Sequence, residues 1–257
     1  MQSGRSVNSW VFNARQHAGA RLRLFCFPYA GGGASTYASW VNAFAPEIEV
    51  YPVQLPGREN RVKEPPFYQF DELVQALCEA LLPYFTMPFA FFGHSMGALI
   101  SFGLTQQLLK QGHPLPERLL LSAYRAPQLP NNESLHTLSD TLLIRKMIEL
   151  NGTQRSILED PELRQLILPL MRADFSIYET YRHAASEPLA IPITAFGGLQ
   201  DARALRAVLE AWREQTRSEF RLHLLPGDHF YFRTAPQPLW QLLKQELQIY
   251  LCERQRC

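Results

Sequence analysis

The stretch Phe91-Phe92-Gly93-His94-Ser95-Met96-Gly97-Ala98 decides the fold. The apolar run Pro88–Phe92 predicts a short buried strand, and a helical pattern follows the glycines. A Gly-x-Ser-x-Gly sequence between a strand and a helix is typical of a nucleophile elbow, a sharp turn that exposes its serine at the head of the helix. Glycines two positions before and after Ser95 fit such a turn, because its strained backbone leaves little space for side chains. We therefore predict that Ser95 is a nucleophile.

Length and composition favour a single globular domain. The 257 residues suffice for a sizeable core, so we expect one domain over residues 1–257. A net charge of +1 gives no general attraction to nucleic acid or to a membrane surface. The first ten residues lack the apolar core of a signal peptide, and no apolar run is long enough to span a bilayer. Four scattered cysteines lack metal-ligand spacing and predict reduced thiols in a cytoplasmic protein: Cys26, Cys78, Cys252 and Cys257.

Strand-like and helix-like segments alternate along the chain. Apolar runs predict strands at 21–27, 48–54, 88–92, 118–123, 191–196 and 220–225. Helical patterns occupy 36–44, 70–82 and the region after Ser95, and they return near Leu205–Trp212 and at 239–250. Such alternation predicts an α/β fold with a mostly parallel sheet and helices on both faces.

The alternation stops between residues 125 and 188. One helical pattern opens near Ser139, and a second opens with Asp160 as its cap and Pro161 in its first turn. The predicted buried stripe of the second helix is Leu163, Leu166, Ile167 and Leu170, with a kink at Pro169. Roughly 60 residues are too many for an ordinary connection. We expect residues 125–188 to form a helical lid over the carboxyl edge of the sheet.

A serine nucleophile needs a base and an acid that orients the base. In the α/β-hydrolase order the acid follows the serine and the histidine comes last. Asp201 and His229 each stand in a loop just after a predicted strand, at the edge where the elbow presents Ser95. We predict that His229 takes the serine proton and that Asp201 fixes the tautomer of His229.

The other histidines and acids fit these roles less well. His94 is held in the elbow, where a packing role is expected. Asp228 belongs to a tight turn, and Asp174 is expected to face solvent on the lid. The remaining rival histidines are expected at the surface or away from the chemistry: His113, His136, His183 and His223.

Hydrolysis through a tetrahedral intermediate also requires two N–H donors. The first is expected from Met96, directly after the nucleophile, and the second from Ala30 in the loop after the first strand. The glycines at 31–33 allow the backbone to approach a substrate closely. They do not predict a nucleotide site, because no Gly-Lys-Ser/Thr follows.

Several short motifs, taken in this order, resemble the type II thioesterases. They are Phe27-Pro28-Tyr29-Ala30-Gly31-Gly32, Leu55-Pro56-Gly57-Arg58, Gly93-His94-Ser95-Met96-Gly97-Ala98, Glu179-Thr180-Tyr181 and Gly227-Asp228-His229-Phe230. The resemblance extends from about residue 20 to the C-terminus. Type II thioesterases are stand-alone editing hydrolases of nonribosomal peptide and polyketide synthases. The resemblance implies an α/β-hydrolase fold with a helical lid, and hydrolysis of acyl groups from the phosphopantetheine arm of carrier proteins. It places the triad on Ser95, Asp201 and His229, with no metal or cofactor.

Several residues are expected to contact the substrate. The lid aromatics Phe175, Tyr178 and Tyr181 are expected to wall an acyl pocket. Tyr29 and Phe230, beside the predicted catalytic loops, are further candidates. Three arginines are expected to receive an acidic carrier protein or the phosphate of its arm: Arg58, Arg61 and Arg125.

Two alternatives remain open at this stage. The same triad could serve a carboxylesterase acting on small esters, which a preference for thioesters would exclude. A hydrolase fold could also bind carriers without catalysis, although a complete set of Ser95, Asp201 and His229 argues against this. Acyl-CoA is a possible substrate, and a monomer is expected.

Overall fold

A computed structural model of the protein describes residues 9–12, 14–153 and 155–253, without the side chains of residues 155 and 249–253. Six strands form one parallel sheet in the order β2-β1-β3-β4-β5-β6. The strands are β1 (Leu22–Phe27), β2 (Ile48–Pro52), β3 (Phe89–His94), β4 (Leu119–Ser122), β5 (Ile193–Gly198) and β6 (Phe220–Leu225). The predicted parallel α/β sheet is confirmed.

Helices cover both faces of the sheet. They are α1 (Trp40–Phe44), α2 (Phe70–Leu81), α3 (Met96–Lys110), α4 (Asp140–Leu150), α5 (Arg155–Glu159), α6 (Pro161–Glu179), α7 (Arg206–Glu210) and α8 (Gln237–Glu253). Side chains alternate along each strand, so Phe25 and Phe91 enter one core while Cys26 and Phe92 enter the other. In the part of the chain that the structure describes, no helix is long and apolar enough to cross a bilayer.

The N-terminal part differs from the expectation in detail. The predicted helix at 36–44 is a 3₁₀ turn (Ala34–Tyr37) followed by the short α1. Val11 pairs antiparallel with Val53, so a segment ahead of β1 lies against the sheet. Residues 1–8 and 13 lie outside the described residues.

The structure describes the side chains of two of the four cysteines. Cys26 and Cys78 are buried free thiols. Cys257 and the side chain of Cys252 lie outside the described residues.

Residues 125–188, which we call the helical insertion, contain α4, α5 and α6 between β4 and β5. Asp160 caps α6 as predicted, because its carboxylate accepts the N–H groups of Glu162 and Leu163. The predicted stripe is wrong in its first half, where Leu163 and Leu166 are 42% and 64% exposed. Every buried residue of α6 lies at or beyond Leu168, so only its later turns contact the core.

Candidate active site

Ser95 occupies a strained turn between β3 and α3. Its backbone angles are φ 54° and ψ −119°, and its N–H donates to Ser122 O at 2.8 Å. A Cβ on Gly93 would lie 2.0 Å from Gly97 O, and one on Gly97 would lie 2.2 Å from Phe27 O. Close backbone approach therefore excludes a side chain at both glycines. The geometry is that of a nucleophile elbow.

Asp201 and His229 meet beside this turn. His229 Nδ1 lies 2.8 Å from Asp201 Oδ2, and both side chains are buried. The other carboxylate oxygen of Asp201 accepts the N–H groups of Arg203 and Ala204 at 2.9 and 3.2 Å. Burial by itself would raise the pKa of Asp201, but the hydrogen bond from His229 and these backbone donors hold the pKa below its ordinary value. Asp201 is therefore poised to stay ionised and to orient the imidazole.

The second nitrogen of His229 is free. Nε2 is buried and has no hydrogen-bond partner among the described residues. His229 and Ser95 line the same cavity. Because Nδ1–H donates its hydrogen bond to Asp201, Nε2 is the nitrogen left to accept a proton inside this cavity.

Two backbone donors adjoin the serine. Met96 is the first residue of α3, where an N–H has no partner within the helix. Ala30 lines the cavity with Ser95, and in the described part of the chain its N–H has no acceptor. The next N–H along the loop, that of Gly31, is held by Asp174 Oδ2 at 2.7 Å. The loop thus leaves the Ala30 N–H available next to Ser95.

The cavity at Ser95 is small, about 30 Å³, and mainly aromatic and aliphatic. Four of the predicted substrate residues line it: Tyr29, Phe175, Tyr178 and Phe230. Sequence reasoning did not assign Arg203, Met171, Met147 or Leu150 to the pocket, which they also line. Tyr181 lies elsewhere, in a neighbouring cavity, with its ring 4.6 Å from that of Phe70.

Arg58 is not available to a carrier protein. It is 5% exposed, and its guanidinium makes a two-pronged ion pair with Asp174, at 2.7 and 2.9 Å. The expectations of a docking role for Arg58 and of a solvent-facing Asp174 are therefore wrong. Arg61 is buried too, and it donates to Glu64 and to Gln54 O.

His94 packs beside His229 and is bonded to Ser122 on β4. Its Nδ1 lies 2.8 Å from Ser122 Oγ, which in turn lies 2.8 Å from Tyr231 OH. Burial lowers the pKa of His94 well below its usual value, so the ring is neutral. Its ring centroid lies 5.1 Å from that of His229. This is the packing role that the sequence predicts.

Two other histidines have partners that sequence reasoning missed. His136 contacts the buried carboxylate of Glu179, and His223 Nε2 lies 3.0 Å from Glu246. Both pairs lie outside the Ser95 cavity. Within the described residues, no group of three or more His, Cys, Asp or Glu side chains is arranged to hold a metal ion.

The helical insertion closes one side of the cavity. Arg233 lies over the ring of Phe230, 4.0 Å from its centroid, and donates to Asn151 O and Gly152 O at 3.1 and 3.3 Å. The turn after α4 is thereby held against the loop that carries His229.

These features define an α/β-hydrolase: a parallel sheet, an elbow serine after β3, an acid after β5 and a histidine after β6. Residues 22–245 match the family model described as Thioesterase domain. The chain belongs to the thioesterase family.

Several similar proteins carry names that refer to the biosynthesis of natural products. The gramicidin S biosynthesis protein GrsT of Aneurinibacillus migulanus is 43% identical, over 96% of this chain and 97% of its own. A protein of Brevibacillus parabrevis named linear gramicidin dehydrogenase LgrE is 41% identical, over 96% and 95%. The solved structure of the type II thioesterase BorB from the borrelidin biosynthetic cluster superposes with a TM-score of 0.84 at 34% identity, covering 93% of this chain and 98% of that one.

Proposed function

We propose that the protein is a serine thioesterase that removes acyl groups from the phosphopantetheine arms of carrier proteins. The observation that carries the proposal is the geometry of His229. Asp201 holds its Nδ1 at 2.8 Å, its Nε2 has no partner among the described residues, and His229 lines the same cavity as Ser95. Membership of the thioesterase family and the biosynthetic relatives support the thioester substrate.

The reaction follows from these positions. His229 Nε2 accepts the proton of Ser95 as Oγ attacks the thioester carbonyl. The N–H groups of Met96 and Ala30 stabilise the oxyanion, and the thiolate leaves with the proton from His229. A water molecule then attacks the acyl-serine while His229 again acts as base, which releases the acid and restores Ser95.

The helical insertion acts as the lid of this site. It contributes Met147, Leu150, Met171 and Phe175 to the small cavity at Ser95. Such a cavity favours a short acyl group, such as acetyl or propionyl, over a long chain. Removal of short groups that stall a synthase is the editing role proposed for this enzyme.

Carrier proteins bind transiently, and acyl-CoA serves as a weaker substrate. The enzyme works as a cytoplasmic, single-domain monomer in which Cys26 and Cys78 stay reduced, and it needs no cofactor of its own.

The name of the Brevibacillus relative invites comparison with a hydride-transfer enzyme. In such enzymes a glycine-rich turn after the first strand binds a pyrophosphate. Here the corresponding turn donates Gly31 N–H to the carboxylate of Asp174. A negative charge already occupies the position that a phosphate would take, so this turn favours the thioesterase.

The test compares an acetyl carrier protein, acetyl-CoA and p-nitrophenyl acetate as substrates. We expect the carrier thioester to be preferred, and Ser95→Ala to lower kcat by about 10⁶, with subtilisin as the guide. A fluorophosphonate should label the wild type but not Ser95→Ala. Preference for the simple ester would reassign the enzyme as a carboxylesterase, and absence of both hydrolysis and labelling would leave a binding protein.

A further inference from the structure

Among the described residues that line the cavity at Ser95, Arg203 carries the one permanent charge. It lies in the loop after β5 and lines the cavity together with Ser95 and His229, whereas no acidic side chain does. The rest of the lining is mainly aromatic and aliphatic. A cation beside an apolar cavity favours an anionic ligand over a neutral one, because charges interact more strongly where water is scarce.

The protein does not neutralise the guanidinium of Arg203. The backbone N–H of this residue donates to Asp201 Oδ1 at 2.9 Å, which fixes the position of the chain. Within the part of the chain that the structure describes, its side chain forms no ion pair. By contrast, the nearby Arg206 bonds Glu210 at 2.8 Å. A free guanidinium of this kind can bind a carboxylate through two parallel N–H bonds.

A buried hydroxyl group lines the same cavity. Tyr178, on α6, is 5% exposed, and its hydroxyl has no hydrogen-bond partner among the described residues. Burial raises the pKa of this hydroxyl well above its usual value, and the nearby charge of Arg203 only opposes that rise, so the group stays protonated and can donate. Since buried hydroxyl groups are normally bonded, this one indicates a ligand that accepts a hydrogen bond.

We propose that Arg203 and Tyr178 form a subsite for the carboxylate of a short dicarboxylic acyl group, such as malonyl. The thioester carbonyl lies at Ser95, and the carboxylate, one methylene group away, accepts hydrogen bonds from the guanidinium and the hydroxyl. The small cavity restricts the acyl group to the shortest members of this class. This inference rests on the proposed function. The reaction remains the hydrolysis described above, in which water cleaves the acyl-serine and releases the dicarboxylic acid.

The test compares the malonyl and butyryl thioesters of N-acetylcysteamine, which are similar in size and carry neither a phosphate nor a carrier protein. The wild type should prefer the malonyl group about tenfold in kcat/KM, since a site that bonds a charged group rejects the analogue that lacks it. Arg203→Met should lower the malonyl-to-butyryl ratio about tenfold, and Tyr178→Phe about fivefold. Arg203→Lys should retain part of the preference, because it keeps the charge but loses the two-pronged geometry.

The matched control is Arg206→Ala, which removes an exposed arginine that does not line the cavity, and it should keep the wild-type ratio. The inference is overturned if the wild type shows no preference for the malonyl group, or if Arg203→Met keeps the full preference. It is also overturned if Arg203→Met leaves the ratio unchanged but slows acetyl-CoA relative to acetyl-N-acetylcysteamine, since the arginine would then bind a phosphate. In each case a wild type that hydrolyses the acetyl carrier protein leaves the proposed function intact.

Discussion

Asp174 on α6 and Arg58 on the loop after β2 form a buried ion pair that also fixes the loop carrying Ala30. The two residues are 116 positions apart, and their closest atoms lie 2.7 Å apart. Asp174 Oδ2 accepts the Gly31 N–H, and Arg58 donates to Gly32 O at 3.0 Å. The helical insertion is thus bonded directly to Gly31, and through Arg58 to Gly32, in the segment that follows Ala30 and its proposed oxyanion donor.

Replacement of Asp174 should therefore affect catalysis and stability separately. Asp174→Ala leaves the Arg58 charge buried and unpaired, which should lower the free energy of unfolding by about 3–5 kcal/mol. Loss of the Gly31 hydrogen bond should also displace the Ala30 N–H and lower kcat by about 10²-fold, with KM little changed. Urea unfolding and steady-state kinetics measure the two effects.

The double variant Arg58→Met, Asp174→Leu separates the two roles. Apolar residues of similar size should restore most of the stability. They should not restore kcat, since no carboxylate then holds the Gly31 N–H. Recovery of both quantities together would assign the ion pair a purely structural role.

The elbow should not tolerate a methyl group at Gly97. A Cβ there would lie 2.2 Å from Phe27 O, so Gly97→Ala must displace β1 or the start of α3. We expect an inactive protein with a markedly lower thermal midpoint. Gly19→Ala is the matched control, because no atom lies within 4 Å of its added Cβ. A fully active Gly97→Ala would show that the turn is looser than described.

Asp201→Asn should leave the fold intact but remove the acceptor that sets the tautomer of His229. By comparison with serine proteases we expect kcat to fall about 10⁴-fold. Steady-state kinetics measures the loss, and a loss below tenfold would argue for another acid.

A second buried carboxylate should control acid stability. Glu246 would have a raised pKa from burial alone, but hydrogen bonds from His223 and Thr194 and the charges of Arg118 and Arg221 lower its pKa from 4.5 to about 2. Because the folded pKa is depressed, this stabilisation is complete above about pH 4.5 and is lost as the pH falls towards 2. The span corresponds to about 3 kcal/mol.

Glu246→Gln should remove that pH dependence. Its free energy of unfolding should fall less steeply than that of the wild type between pH 4.5 and 2. Chemical denaturation at several pH values measures both slopes. Equal slopes would assign the acid sensitivity to other groups.

Local sequence signals were sufficient for the sheet and for the placement of the three predicted catalytic residues. The glycines around Ser95 indicate a turn that packs against backbone atoms and leaves no space for side chains. Asp201 and His229 follow strands of a parallel sheet, whose carboxyl ends meet at one edge. These inferences need only the chain order.

The missed features depend on which distant segments meet. Asp174 resembles a solvated helix residue until Arg58 is brought beside it by the sheet and the insertion together. The apolar spacing of Leu163 and Leu166 is helical, but periodicity does not reveal that the first turns of α6 extend beyond the core. The neighbouring cavity that Tyr181 lines likewise arises between two segments, 124–131 and 181–183, that meet only through tertiary packing.

The small cavity at Ser95 has a consequence for the fidelity of a synthase. Under the proposed function, the hydrolase needs no means of telling a correct intermediate from an error. On that proposal a long, growing chain would be spared because the cavity beside Ser95 is too small for it, whereas a short stalled group would enter. The site then works as a molecular sieve, and the size of the acyl group sets how long a carrier stays loaded.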